Sequence, residues 1–191
     1  MTRLIRKRGV LRSRDFESQG ISRVALSRLV EQGSLQRLGR GLYGLSGAKL
    51  TEHHSLVEVA VRVPSGVVCL LSALQFHKLS TQSPHEVWLA LGVKARKPAI
   101  EWPPIRVVRF SATALAHGVE IHTLEGAQVK ITSAAKTVAD TFKYRNKIGV
   151  DVAIEALTEY RRKRGSVDAL MKAAAVDRVA GVIRPYLEAI S

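Results

Sequence analysis

The chain has 191 residues, 30 Lys and Arg against 16 Asp and Glu for a net charge of +14, an apolar fraction of 46% and one cysteine. That size accommodates one small module and one further domain with its own core, and the apolar content is that of a globular chain rather than a disordered one. A single cysteine excludes an internal disulfide and a thiolate metal cluster, and no apolar run approaches the ~20 residues of a membrane-spanning helix, so a soluble protein of a reducing cytoplasm is expected.

The first residues are basic (Arg3, Arg6, Lys7, Arg8) without the apolar region of a signal peptide. Ser13 is expected to cap a short helix that turns Phe16 inward and stops at Gly20, a residue type that accepts a left-handed backbone. Ile21 plugs the joint. Ser22 then caps a second helix ending at Gly33, in which Leu26, Leu29 and Val30 share one face at helical spacing. The opposite face carries Arg23, Ser27, Arg28 and Glu31. Alternating residues on either side of Gly39-Arg40-Gly41 predict a hairpin over Leu35–Leu45, with Arg40 at its tip and Arg37 on its first strand.

Helix, turn, helix and hairpin in that order is the pattern of a winged helix-turn-helix. In that arrangement the second helix enters the major groove, which would bring Arg23, Ser27 and Arg28 to base edges or phosphates. Ser22 stands at a positive helix N-terminus suited to a phosphate, and Arg37 and Arg40 form a wing able to follow the backbone or enter a minor groove. Charge points the same way. Residues 1–49 hold 11 Lys and Arg and 3 Asp and Glu, a net of +8 out of +14. Double-stranded DNA is therefore the expected partner. A membrane surface is the weaker choice, because no stretch combines a long apolar face with a basic one.

The domain boundary is expected near Ser46–Leu50, giving a DNA-binding domain over 1–48 and a mixed α/β domain over 49–191, an α+β chain overall. Beyond the boundary, Thr51 to Val63 predicts a helix, Val67–Leu71 a buried strand and Ser72–Leu79 a short helix. Glu86–Leu91 and Ile105–Phe110 read as strands joined by a basic, proline-bearing loop from Lys94 to Pro104. Val119–Leu124 and Ala127–Ile131 read as a pair of strands about Glu125-Gly126. The rest is helical: from Ser133 to Phe142, from Val150 to Arg161 with a stop at Gly165, from Ser166 onward, and a last helix over Val176–Ile190 interrupted at Pro185.

Several segments together resemble the AbiEi family of antitoxins. They are Gly20-Ile-Ser with Gly33-Ser-Leu-Gln-Arg-Leu-Gly-Arg-Gly-Leu-Tyr43, then Leu71-Ser-Ala-Leu-Gln-Phe-His77, Ile131-Thr-Ser-Ala-Ala-Lys-Thr-Val-Ala-Asp140 and Phe142–Asp151 with Ala153–Leu157. The resemblance covers nearly the whole chain. It implies a type IV antitoxin whose winged helix binds inverted repeats upstream of its own operon and represses it. Its second domain would counteract a nucleotidyltransferase-like toxin without a stable complex. By the same resemblance Ser22, Arg23, Ser27 and Arg28 match the recognition helix, and Arg37 and Arg40 the wing. The segment from Thr2 to Gly9 is short for the helix that precedes this motif in other winged helices, so the module is expected to depend on the second domain for stability.

The body offers no catalytic constellation. His53 and His54 are adjacent on a helix and point about 100° apart, poor joint ligands for one metal, and read as an exposed helix start. His77 reads as a core or interface residue and His85 as solvent-facing; His117 and His122 join no motif. Asp140 is four residues from Lys136 and is expected in an ion pair, while Asp151 and Glu155 stand near the start of a helix, where carboxylates are stabilised. Cys69 in an apolar run reads as core. No phosphate-cradling loop, nucleophile elbow or zinc signature occurs. The expectation is no enzymatic activity, no cofactor and no metal. Two alternatives stay open: a winged-helix regulator whose second domain senses a ligand or dimerises, and a nuclease fused to a DNA-binding module. Oligomeric state is open too, as is the target of the basic clusters Arg161–Arg164 and Lys94–Lys97, which fit DNA, a toxin-side surface or plain solvation.

Overall fold

The computed structural model describes residues 9–47 and 51–190. The basic stretch Arg3–Arg8, the short segment from Thr2, and Ala48–Leu50 of the expected joint lie outside them. The chain divides into two compact units, Met1–Pro64 with Ile121–Val129, and Ser65–Glu120 with Lys130–Ser191. The architecture is mixed α+β with a helical C-terminal end, as the sequence predicts.

In the first unit, strand β1 (Leu11–Arg12) leads into helix α1 (Ser13–Glu17), then helix α2 (Arg23–Glu31) and the hairpin β2 (Leu35–Gly39) and β3 (Leu42–Leu45). The strands form an antiparallel sheet in the order β1-β3-β2, with Leu11 opposite Tyr43 and Leu35 opposite Leu45. Leu11, Phe16, Leu26 and Leu35 are buried as one cluster, against which Leu29, Val30 and Tyr43 pack. Each of these comes from the apolar side of its helix or strand, so the periodicity and the core agree. Gly20 (φ +78°) and Gly33 (φ +69°) end the two helices in the left-handed region. The Ser22 hydroxyl accepts from the Ala25 amide at 3.2 Å and caps α2.

Ser13 does not cap α1. The Arg12 amide donates to Asp15 Oδ2 at 2.8 Å instead, and the Ser13 amide donates to the Gly41 carbonyl at 3.0 Å. The cap slides back one residue because the strand–hairpin pairing claims the Ser13 amide. Helix α3 (His54–Arg62) completes the unit and buries Leu56, Val57 and Val59. Thr51 anchors its entry through Glu125, with the Thr51 amide and hydroxyl donating to Glu125 Oε1 at 2.7 and 2.9 Å. Gly9 (φ +63°) is required by a close approach, since a Cβ there would lie 1.6 Å from the Glu125 carbonyl oxygen.

A five-stranded sheet of order β6-β5-β4-β8-β7, from β4 (Val67–Val68), β5 (Val87–Gly92), β6 (Ile105–Phe110), β7 (Val119–Leu124) and β8 (Ala127–Thr132), carries the second unit, apart from residues 121–129 of β7 and β8, which group with the first. Strands β5 and β6 run parallel, with Val87 opposite Ile105, and β4 pairs antiparallel to β5 and parallel to β8. Helix α4 (Leu70–His77) begins two residues before the predicted start, and within it the Ser72 hydroxyl accepts the Trp88 amide at 3.0 Å. Helix α5 (Ala112–Ala116) follows β6. The C-terminal helices α6 (Ala134–Lys143), α7 (Arg145–Ile148), α8 (Val150–Arg162), α9 (Val167–Asp177) and α10 (Ala180–Ala189) bury Phe142, Leu157, Leu170 and Ile183 together.

Two expected stops fall elsewhere. The left-handed residue after α8 is Arg164 (φ +59°), while Gly165 is there for space: a Cβ would come within 2.3–2.5 Å of the Tyr160 ring. The break before the last helix falls at Arg178 (φ +60°), where the amides of Arg178 and Val179 close α9 onto Ala175 and Ala174. Pro185 is carried inside α10, where it forgoes one helical hydrogen bond.

Candidate nucleic-acid interface

The polar side of α2 follows from its pitch. At about 100° per residue, Arg23, Ser27, Glu31, Val24 and Arg28 occupy one continuous arc, and Leu26, Leu29 and Val30 the opposite one. All five residues of the polar arc are exposed, and so is Ser22 at the helix start. The buried side is locked into the cluster under the hairpin, which fixes the rotation of the helix and the direction the arc faces.

The arginines on the arc differ in their surroundings. Arg23 Nε donates to Glu17 Oε1 at 2.6 Å, tying its guanidinium to α1. Arg28 stands one turn after Val24 on the same ridge. Val24 is 63% exposed, and sequence reasoning missed it. The signal was an apolar residue on the polar side of an amphipathic helix, two positions after the cap. A valine methyl can meet a thymine methyl in a major groove, as an arginine can meet a guanine.

In the hairpin, Arg37 and Arg40 are exposed, and Arg37 Nε donates to the Gly39 carbonyl at 3.4 Å. The β2–β3 register shifts between Arg37 and Gly39, and Gly41 is left-handed (φ +69°), so the tip is a tight, irregular turn. Gly39 lies close to α3: a Cβ would fall 2.4 Å from Glu58 Oε1.

The ionisable residues of the body have structural partners. The Lys136–Asp140 pair predicted from spacing is present, but fully buried and enlarged. Lys136 Nζ contacts Asp140 and lies 2.9 Å from Asp177 Oδ2, and Lys143 Nζ lies 3.7 Å from Asp177 Oδ1. Burial pushes the Asp140 carboxyl well above its ordinary range, with Lys136 opposing and Asp177 adding to the shift. Glu155 accepts from the Ser80 hydroxyl and from the Thr81 amide and hydroxyl at 2.8–2.9 Å; these bonds outweigh burial and lower its pKa. Asp151 is exposed on the first turn of α8.

His54 is not the exposed helix start the sequence suggested: its Nδ1 is 2.7 Å from Glu125 Oε2, and its Nε2 is 4.0 Å from Glu58. His77 Nε2 contacts the Thr132 carbonyl at 2.7 Å. Cys69 is completely buried, and burial drives its thiol pKa well up, so it is no nucleophile at neutral pH. Among the described residues, no group of three or more His, Cys, Asp and Glu is placed to hold a metal ion, and no helix is long and apolar enough to cross a membrane.

Residues 1–46 match a family model described as "Transcriptional regulator, AbiEi antitoxin". That span contains β1, α1, α2 and the hairpin, and with them every residue of the α2 arc and the hairpin arginines. No curated protein matches the chain. Among solved structures, the crystal structure of the RV2827C protein from Mycobacterium tuberculosis is similar over 98% of this chain and 78% of that one, with a TM-score of 0.52 and 13% identity. At that identity the likeness is one of fold.

Proposed function

We propose that this protein is the antitoxin of a type IV toxin–antitoxin system, that it represses its own operon by binding operator DNA through a winged helix-turn-helix, and that it counteracts a nucleotidyltransferase-like toxin. The N-terminal 46 residues match the model of AbiEi antitoxin transcriptional regulators, and this match is the observation that carries the reading. It falls on the segment that presents an exposed, arginine-bearing helix face and an arginine-tipped hairpin.

In this account α2 lies in the major groove. Ser22 and Arg23 at its start meet phosphate, with Arg23 held in place by Glu17. Ser27 and Arg28 reach base edges, and Val24 beside them favours a thymine methyl. Arg37 and Arg40 follow the backbone or enter the adjoining minor groove. The functional DNA-binding domain ends near residue 48, and residues 49–191 carry the antitoxin role. The protein acts in the cytoplasm, where both its operator and the toxin are found, and needs no stable complex with the toxin. It catalyses no reaction of its own.

Two readouts test the two halves. A reporter driven by the region upstream of this gene should be repressed by the protein and relieved by Arg28→Ala. Expression of the adjoining gene alone should arrest growth, and co-expression of this chain should restore it. A reporter that ignores the protein would overturn the repressor half, and unrelieved arrest the antitoxin half.

A further inference from the structure

Strands β5 and β6 are parallel neighbours, so the chain must travel back along their length between Gly92 and Ile105. It does so through Val93–Pro104 with no helix or strand in between. This crossover carries Lys94, Arg96 and Lys97, all exposed, against the single acid Glu101. It also carries Trp102, which is 72% exposed, and Val93, also largely exposed. The other tryptophan, Trp88 on β5, is 4% exposed and packed in the core. The crossover thus carries three exposed cations near its start, where the Ala95 amide bonds the Gly92 carbonyl, and an exposed indole near its end, where the Val87 amide bonds the Pro104 carbonyl.

We propose that the Val93–Pro104 loop is a binding site for single-stranded nucleic acid, in which Lys94, Arg96 and Lys97 contact phosphates and the Trp102 ring stacks on an unpaired base. A flat aromatic face is of little use on duplex DNA, whose bases are already stacked. On a single strand every base offers a π-face, and the cations further along the same loop track the backbone. The net charge of +14 favours a polyanion over an acidic peptide of modest charge. This site lies in the second unit and does not depend on the operator-binding role proposed for α2 and the hairpin.

The buried Trp88 makes the test direct, because acrylamide quenching of the full-length protein reports mainly on Trp102. Twelve-residue oligo-dT and oligo-U are titrated separately, with vesicles of phosphatidylglycerol as a third arm. Either oligonucleotide should quench the emission and shield it from acrylamide, and the better of the two identifies DNA or RNA. Binding of a labelled oligonucleotide should weaken roughly 10- to 100-fold in Trp102→Ala, with partial recovery in Trp102→Phe. Lys94→Gln/Arg96→Gln/Lys97→Gln, confined to the exposed loop, should lower the salt slope by about two units. Arg28→Ala should leave these effects unchanged, which separates this site from the helix face. Three results would overturn the proposal: no response to either oligonucleotide, a response to vesicles alone, or binding that neither set of loop variants alters.

Discussion

Glu125 and His54 stand 71 residues apart in sequence and are joined at 2.7 Å through Oε2 and Nδ1, while the other carboxylate oxygen of Glu125 accepts from the amide and hydroxyl of Thr51. The turn between β7 and β8 thereby fastens the entry of α3. Burial works against the Glu125 charge, but the hydrogen bonds from His54 and Thr51 prevail and set its pKa below the ordinary 4.5. A carboxylate with a depressed folded pKa contributes stability that is present above its unfolded value and lost as pH falls through the folded one. Acid denaturation should therefore begin as pH drops below about 4.5, and Glu125→Gln should flatten that part of the profile. Urea melts across pH 3–7 check it; an unchanged profile in the variant would remove Glu125 from the account.

The buried cluster of Lys136, Asp140 and Asp177 makes an asymmetric prediction. Lys136→Met leaves Asp140 without its cation and Asp177 with only the more distant Lys143, and should destabilise the protein by about 3–5 kcal/mol. The triple change Lys136→Met/Asp140→Leu/Asp177→Leu should recover much of that loss, since an apolar replacement avoids the desolvation of all three charges. Chemical denaturation of both variants decides it. A triple variant no more stable than the single one would contradict the reading.

Gly165 gives a purely steric prediction. Its backbone is not left-handed, yet Gly165→Ala places a methyl against the Tyr160 ring, whose hydroxyl donates to the Ser166 carbonyl at 2.9 Å. The α8–α9 joint should loosen, with a loss of about 1–3 kcal/mol. Tyr160→Phe should cost less, about 1 kcal/mol. Thermal melts of both would show whether the ring or its hydrogen bond holds the joint.

In the proposed operator complex, variants on α2 and the hairpin separate base reading from backbone contact. Arg28→Ala should reduce discrimination between the upstream site and a scrambled one by ~1–3 kcal/mol. Val24→Ala should relax preference at one thymine, by about 1 kcal/mol or less. Arg40→Ala should weaken both sites alike and lower the salt slope by about one unit. Competition binding with single-base variants of the site distinguishes these patterns. Equal loss on both sites for Arg28→Ala would reassign it to phosphate.

The fold of the first unit was legible in the sequence because its signals are local. Gly20, Ser22 and Gly33 mark helix ends through their own backbone and side-chain chemistry, and Gly39 and Gly41 bracket a tight turn. The face carrying Arg23, Ser27 and Arg28 could be named from pitch alone. Contacts over long separations were hidden. Spacing revealed Lys136 and Asp140, but nothing local points to Asp177, 41 residues on, or to the burial of all three. His54 looked like an exposed helix start because its partner Glu125 lies in a distant turn. Pro185 and Gly165 misled for a related reason: a helix stop depends on which amides find partners, and those were at Arg178 and Arg164.

The central claim is that α2 and the hairpin read this gene's own upstream DNA, and fluorescence anisotropy tests it most directly. A labelled fragment from immediately upstream is titrated with the full-length protein beside a scrambled fragment, across a salt series. The account predicts tight, salt-sensitive binding with a clear preference for the upstream fragment, and loss of that preference in Arg28→Ala. Equal, weak binding to both fragments would contradict it and leave the N-terminal unit a non-specific anchor.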